Sequence, residues 1–190
     1  MKTINYKETL EIVFRLYVFF FLTVYGLGKI FGGQFYGPDA IPPEIANMPI
    51  EQISDFDLAW VFMGRSFGYI LFIGLAEVIG AVLLLFNRTK LVGTLILIPI
   101  LVNVIVFDIF FLDKYGALAS ATLYLIMLFA ILLINKEKII KVIKTLLQFD
   151  ATSKTSNKEK LLKFSAVLLI IAVVFVLDQL VVNWLGHGKG

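Results

Sequence analysis

The apolar positions of this chain gather into five long runs, at residues 12–31, 67–86, 91–112, 118–134 and 161–185. A continuous run of about 20 apolar residues has the length of a membrane-spanning helix, and the fourth run only just reaches that range. None of the runs alternates apolar with polar residues, so the pattern predicts spanning helices and not a barrel. Lys2, Lys7 and Arg15 precede the apolar stretch Leu16 to Leu27 of the first run, and no small-x-small cleavage pattern follows it, which reads as a retained span.

The polar segments between the runs differ in charge. Residues 33–64 carry Asp39, Glu44, Glu51, Asp55 and Asp57 and no Lys or Arg, with Pro38, Pro42, Pro43 and Pro49 marking turns. Asn87, Arg88, Thr89 and Lys90 make a tight basic hairpin, and Asp113 to Tyr115 joins the third run to the fourth. The connection to the fifth run is rich in lysine: Lys136, Lys138, Lys141, Lys144, Lys154, Lys158, Lys160 and Lys163. Positive charge concentrates on the cytoplasmic side of membrane proteins, so the N-terminus is expected inside and the C-terminus outside, in a bacterial-type cytoplasmic (inner) membrane.

Residues 135–149 alternate at helical spacing, with Ile139, Ile140, Val142, Ile143, Leu146 and Leu147 opposite Glu137, Lys141, Lys144, Thr145 and Gln148. The pattern reads as a basic amphipathic helix on the inner leaflet, or as an extension of the fourth span packed on other helices. Residues 150–160 are polar and suit a linker. The expected organisation is therefore a four-span bundle over 1–134 with an acidic outer loop at 33–64. A basic segment and linker follow at 135–160, then a tethered fifth helix and short tail at 161–190.

Composition sharpens the class. The chain is 59% hydrophobic and 16% charged, with a mean hydropathy of +0.92, far from a soluble domain. It has no cysteine, which excludes disulfides and thiolate or iron–sulfur ligation by this chain. Its one histidine, His187, reads as a solvated tail residue, and no metal-ligand spacing occurs. The basic residues border apolar spans, so no nucleic-acid partner is expected.

The candidate chemistry starts at Glu77, near the middle of the second run. An ionisable residue there costs at least about 2.5 kcal/mol to insert and by default marks function. Gly74, Gly80 and Ala81 share its helical face, and small residues mark helix–helix contacts, so Glu77 should point into the bundle. Counting along the spans places Tyr25, Asn103 and Tyr124 near its level, and Lys29, Arg65, Tyr69 and Asp108 closer to the outer surface. Together they would line a cavity opening outward with Glu77 at its floor; structural hydrogen bonds between helices are the other reading for Asn103 and Tyr124. Lys29 is expected to snorkel to the outer interface, about 15 Å or more from Glu77, and Arg15 to the inner one. That leaves Glu77 protonated or hydrogen-bonded, with Asn103 or Tyr124 as its partner. Asp178 and Gln179 interrupt the fifth run and are candidates to face the bundle or a partner protein. Gly64-x-x-x-Gly68 and the small positions Gly116, Ala117, Ser120 and Ala121 suit close helix packing.

Arg15 ahead of Gly28-Lys29, the stretch GLAEVIGAVLLLF from Gly74 to Phe86, the Arg88-Thr89 hairpin and the Gly93 helix together resemble the DoxX-like family of small four-span membrane proteins. The resemblance covers roughly residues 12–134 and implies a four-helix membrane bundle with a Glu in the second helix. That family includes subunits tied to quinone-coupled sulfur oxidation and other redox complexes, and relatives resembling assembly and cargo factors. The acidic loop and fifth span depart from its minimal pattern. Two functions follow as expectations. One is an accessory or scaffold subunit that needs no cofactor and docks a membrane-protein partner or a second copy. The other is a quinone-linked oxidoreductase subunit in which Glu77 handles protons.

Overall fold

The computed structural model describes residues 5–112, 115–147 and 157–185, and among these every regular element is helical. Five helices are long and apolar enough to cross a membrane, which marks a membrane protein. They are α1 (Tyr6–Ile30), α4 (Phe67–Leu85), α5 (Lys90–Phe111), α6 (Tyr115–Ile134) and α8 (Asn157–Leu185). Shorter helices are α2 (Pro43–Ala46) and α3 (Asp55–Gly64) in the acidic loop, and α7 (Lys136–Leu146) after α6. Residues 113–114, residues 150–156 of the expected linker, and the tail with His187 lie outside the described residues.

The chain divides into two compact units, Met1–Val142 and Ile143–Gly190. In the first, α1 packs on α4, α4 on α5, α5 on α6 and α6 back on α1, closing a four-helix ring. Val18, Leu22, Ala81, Leu84, Leu97 and Leu128 fill its centre. The outward surface is apolar as well: Phe20, Phe72 and Leu133 are 60%, 70% and 70% exposed, a surface suited to lipid. In the second unit, every side chain assigned along α8 is exposed except Val182, which is half-buried.

With little hydrophobic drive between helices in lipid, close backbone approach holds such a bundle. Gly93 of α5 meets α4 this way, a methyl there lying 2.6 Å from the Gly80 carbonyl oxygen, and α1 meets α4 at a second such approach. A methyl group on Gly26 would lie 2.8 Å from the Gly74 carbonyl oxygen, and one on Gly74 would lie 2.8 Å from the Gly26 carbonyl oxygen. Only glycine permits this crossing. Gly74, Glu77, Gly80 and Ala81 are indeed buried on one face of α4. Gly64 also needs its missing side chain, but against a loop: a methyl there would sit 1.9 Å from the Tyr36 carbonyl oxygen. At Gly68 the nearest such neighbour is the Ser66 hydroxyl at 3.9 Å, so the 64/68 pair does not form a helix-packing motif. In α6 only Ala121 of the four small positions is buried, and a methyl at Gly116 would meet nothing within 4 Å.

The acidic loop is a folded cap, and some of its charge has a local purpose. Ser54 begins α3 by accepting a bond from the Asp57 backbone N–H at 3.1 Å, and Asp55 and Asp57 sit on the positive end of the helix. This helix packs on α4 and α5 and presents Trp60, which stacks on Phe56 at 4.0 Å and meets Phe35 edge-on at 5.5 Å.

Candidate functional site

Lys29 and Glu77 form a buried ion pair, Nζ to Oε1, with the residues only 7% and 3% exposed. This overturns the expectation that Lys29 reaches the outer interface and that Asn103 or Tyr124 partners Glu77. The reason lies in the antiparallel crossing. Lys29 stands one turn C-terminal to Gly26 on α1, and Glu77 one turn C-terminal to Gly74 on α4, about 4.5 Å each along the axis. Side chains lean toward the N-terminus of their own helix, so Lys29 leans back toward Gly26 and Glu77 back toward Gly74. The two therefore converge across the glycine crossing, where the position of a methyl on Gly26 is 3.3 Å from the Glu77 Cβ.

Two cavity lobes flank this pair. The larger, about 400 Å³, is walled by Phe35, Trp60, Tyr69, Phe72 and Phe107 and also lined by Met63, Pro99 and Asn103. Pro99 interrupts α5 there and leaves the Leu95 carbonyl without its helical donor. The smaller, about 150 Å³, is lined by Tyr25, Ser120, Ala121 and Tyr124 among others. Lys29, Gln34, Trp60, Glu77 and Asp108 border both lobes. Asp108 is 7% exposed and feels the charge of Lys29 without forming an ion pair with it. Among the described residues, Glu77 Oε2 and Asp108 Oδ2 have no hydrogen-bond partner. Buried carboxylate oxygens are seldom left so, which makes them acceptors ready for a donor in the cavity.

The other candidates separate clearly. Tyr25, Tyr69, Asn103 and Tyr124 line one lobe each; Asn103 is exposed and Tyr124 4% exposed, ringed by Tyr17, Phe21 and Tyr25. Arg65 is exposed and lines neither lobe; it borders a groove beside the loop, with Gly37 and Phe67, that shares Lys29 and Phe35 with the larger lobe. Asp178 and Gln179 are exposed on α8, where the Gln179 amide donates to Asp178 Oδ2 at 3.3 Å.

A second polar cluster at the other end of the bundle was not anticipated. Glu11 Oε1 pairs with Lys90 Nζ and lies 3.6 Å from Arg15, and Glu11 Oε2 accepts from the Asn135 amide at 3.2 Å. Arg15 is buried and does not snorkel. Its guanidinium donates to the Leu84 and Leu85 carbonyls at 2.5 and 2.7 Å and to Asn87 Oδ1 at 2.7 Å, capping the C-terminal end of α4. Glu11-x-x-x-Arg15, an acid and a base four residues apart at the start of a span, was the available signal. Trp60 and Gln34 had none, because both sit in the loop. No group of three or more histidine or acidic side chains suited to a metal occurs among the described residues.

No protein-family model matches the chain, and no solved structure matches it. The chain is similar to the uncharacterized protein YwoB of Bacillus subtilis (strain 168), 35% identical over 132 residues that cover 70% of this chain and 80% of that protein. The match is long enough to take in most of the bundle that carries both ion pairs, and on it the chain belongs to the YwoB family.

Proposed function

We propose that this chain is a quinone-linked subunit of a complex in a bacterial-type cytoplasmic membrane, with its N-terminus inside. The two-lobed cavity receives the quinone head group, and Glu77 with Asp108 exchanges the protons of its reduction or oxidation. Electrons pass to or from a redox group of a partner subunit. One observation carries the reading: two buried carboxylates face a cavity with orphaned oxygens, and Lys29 forms an ion pair with only one of them, Glu77. The three groups lack one positive charge for neutrality, and burial makes that imbalance costly. One exchangeable proton corrects it, and a quinol hydroxyl supplies a donor to each free oxygen. The aromatic walls suit a flat ring. The resemblance to the DoxX-like family, with its quinone-coupled members, points the same way.

The test is extraction of the protein from native membranes followed by quinone analysis. Quinone should co-purify well above its share of bulk lipid, and Glu77→Gln should fold yet lose both quinone and activity in vivo. A stable, fully active Glu77→Gln variant leaves Glu77 a structural role only. For orientation, Glu51→Cys should react with an impermeant thiol reagent on intact cells and Glu137→Cys should not.

A second reading is an accessory or scaffold subunit, favoured by the exposed polar pair Asp178 and Gln179 within an otherwise apolar span. An intramembrane carboxylate on an exposed helix calls for a partner. A membrane protein or second copy that cross-links at position 178 would support it.

A further inference from the structure

We infer that α7 is a docking surface for anionic lipid, lying along the face of the same membrane that α6 crosses. The inference rests on α6 spanning a bilayer and is independent of the quinone reading. Its first support is where α7 starts. The 20 residues of α6 rise about 30 Å, the thickness of the hydrocarbon core, and end at Ile134. The next residue, Asn135, is a pinned corner. Its backbone N–H closes α6 onto the Ile131 carbonyl at 3.2 Å, and its own carbonyl accepts from Lys138 and Ile139 to open α7. Its buried side chain donates to Glu11 at 3.2 Å, in the cluster that ties α1, α4 and α5 together. The helix therefore leaves the bundle at the depth where hydrocarbon gives way to head groups.

The second support is the helix itself. Ile139, Val142, Ile143 and Leu146 fall on one side at helical spacing, joined by Ile140, while Lys141 and Thr145 fall opposite. Lys138 and Lys144 stand on the two flanks of the apolar side, where their stems can lie in the interface and their charges reach phosphate. Ile139 is half-buried and the rest of the apolar side is uncovered: Ile140, Val142, Ile143 and Leu146 are 48%, 56%, 47% and 78% exposed.

The third support is charge. Four lysines accompany a single acid, Glu137, along α7. A second α7 brought against that face would set lysine flank against lysine flank, and the nearby hairpin presents exposed Arg88. Neither complements the helix. Anionic head groups do, and they also offer acyl chains to the apolar side.

The experiment uses the full-length chain in lipid nanodiscs, with Ile143→Cys or Thr145→Cys as its sole cysteine, labelled with an environment-sensitive fluorophore. A label at 143 should be quenched by nitroxides carried on lipid and shielded from aqueous iodide, increasingly so as anionic lipid replaces zwitterionic. A label at 145 should show the reverse. Combining Lys138→Gln with Lys144→Gln should lower the ratio of shielded to unshielded label at 143 by about fivefold for each lysine neutralised, without changing thermal unfolding of the bundle. Equal quenching at the two positions overturns the proposal. So does a label at 143 that is shielded from iodide yet untouched by lipid nitroxides, which is the mark of a protein partner or a second copy. Shielding that ignores lipid charge overturns it as well.

Discussion

Helix α1 carries two buried ion pairs, Glu11 with Lys90 and Lys29 with Glu77, set about 27 Å apart along its axis. Composition makes them look alike, and saturation separates them. At the Glu11 end both carboxylate oxygens are bonded, Arg15 spends its donors on two backbone carbonyls and Asn87, and Asn135 completes the set. At the Glu77 end one oxygen of Glu77 and one of Asp108 are left over beside two cavity lobes. A buried ion pair is by itself weak evidence of anything. A saturated one has no valence left for a ligand and holds helices together; an unsaturated one beside a cavity can accept a ligand. The same kinds of polar residue are thus saturated at one end and leave free acceptors at the other.

Removing Glu11 should break the comparison most severely if it is correct. Glu11→Ala strands Lys90 and Arg15 in the interior, and losing one partner of a buried pair costs about 3–5 kcal/mol. Thermal unfolding in detergent should show that loss, together with poor accumulation in the membrane. A Glu11→Ala protein as stable as the parent would remove the fastening role.

Glu77→Gln should cost less, about 1.5–3 kcal/mol for one charge-assisted bond, because Asp108 still offers Lys29 a charge. The same unfolding measurement should rank it below Glu11→Ala, with ligand retention as the property lost. The reverse ranking would mean that the Lys29–Glu77 pair is the main fastener.

Gly26→Ala tests how the Lys29–Glu77 pair is assembled. The added methyl would press on the Gly74 carbonyl and Val78, where overpacking costs about 1–3 kcal/mol. Ligand retention should fall with the widened crossing, whereas the Glu11 cluster, anchored by other contacts, should still hold the far end of α1. Hydrogen exchange at the two ends of α1 would separate these effects.

Asp108→Asn should be the mildest in stability, within about 1 kcal/mol, since its Oδ2 bonds to nothing among the described residues. Ligand binding should nevertheless drop. A variant that binds as the parent does would leave Glu77 alone as the acceptor.

Much of this was legible beforehand. The five apolar runs match the five long helices to within a few residues, because in lipid the length of an apolar run and the length of a helix are nearly the same quantity. The inward face of Glu77 was legible for a local reason: Gly74, Gly80 and Ala81 sit one turn away. The helix at 135–149 was visible in its periodicity and appears as Lys136–Leu146. Depth counted along separate, ideal spans puts Lys29 in the wrong place. Such counting carries no crossing register and no side-chain lean, and both bring Lys29 to Glu77.

By itself, the sequence determined which segments are helices, that they suit a membrane, and which residues on α4 turn inward, since each of these depends on neighbours within a few turns. Only the tertiary structure decided the pairings. That Lys29 meets Glu77, that Glu11 meets Lys90 and Asn135, and that Trp60 of the loop faces the cavity depend on contacts between residues far apart in the chain. The first of those contacts is set by how closely Gly26 and Gly74 let the backbones of α1 and α4 approach, and the others by how segments far apart in the chain pack, which no local pattern encodes.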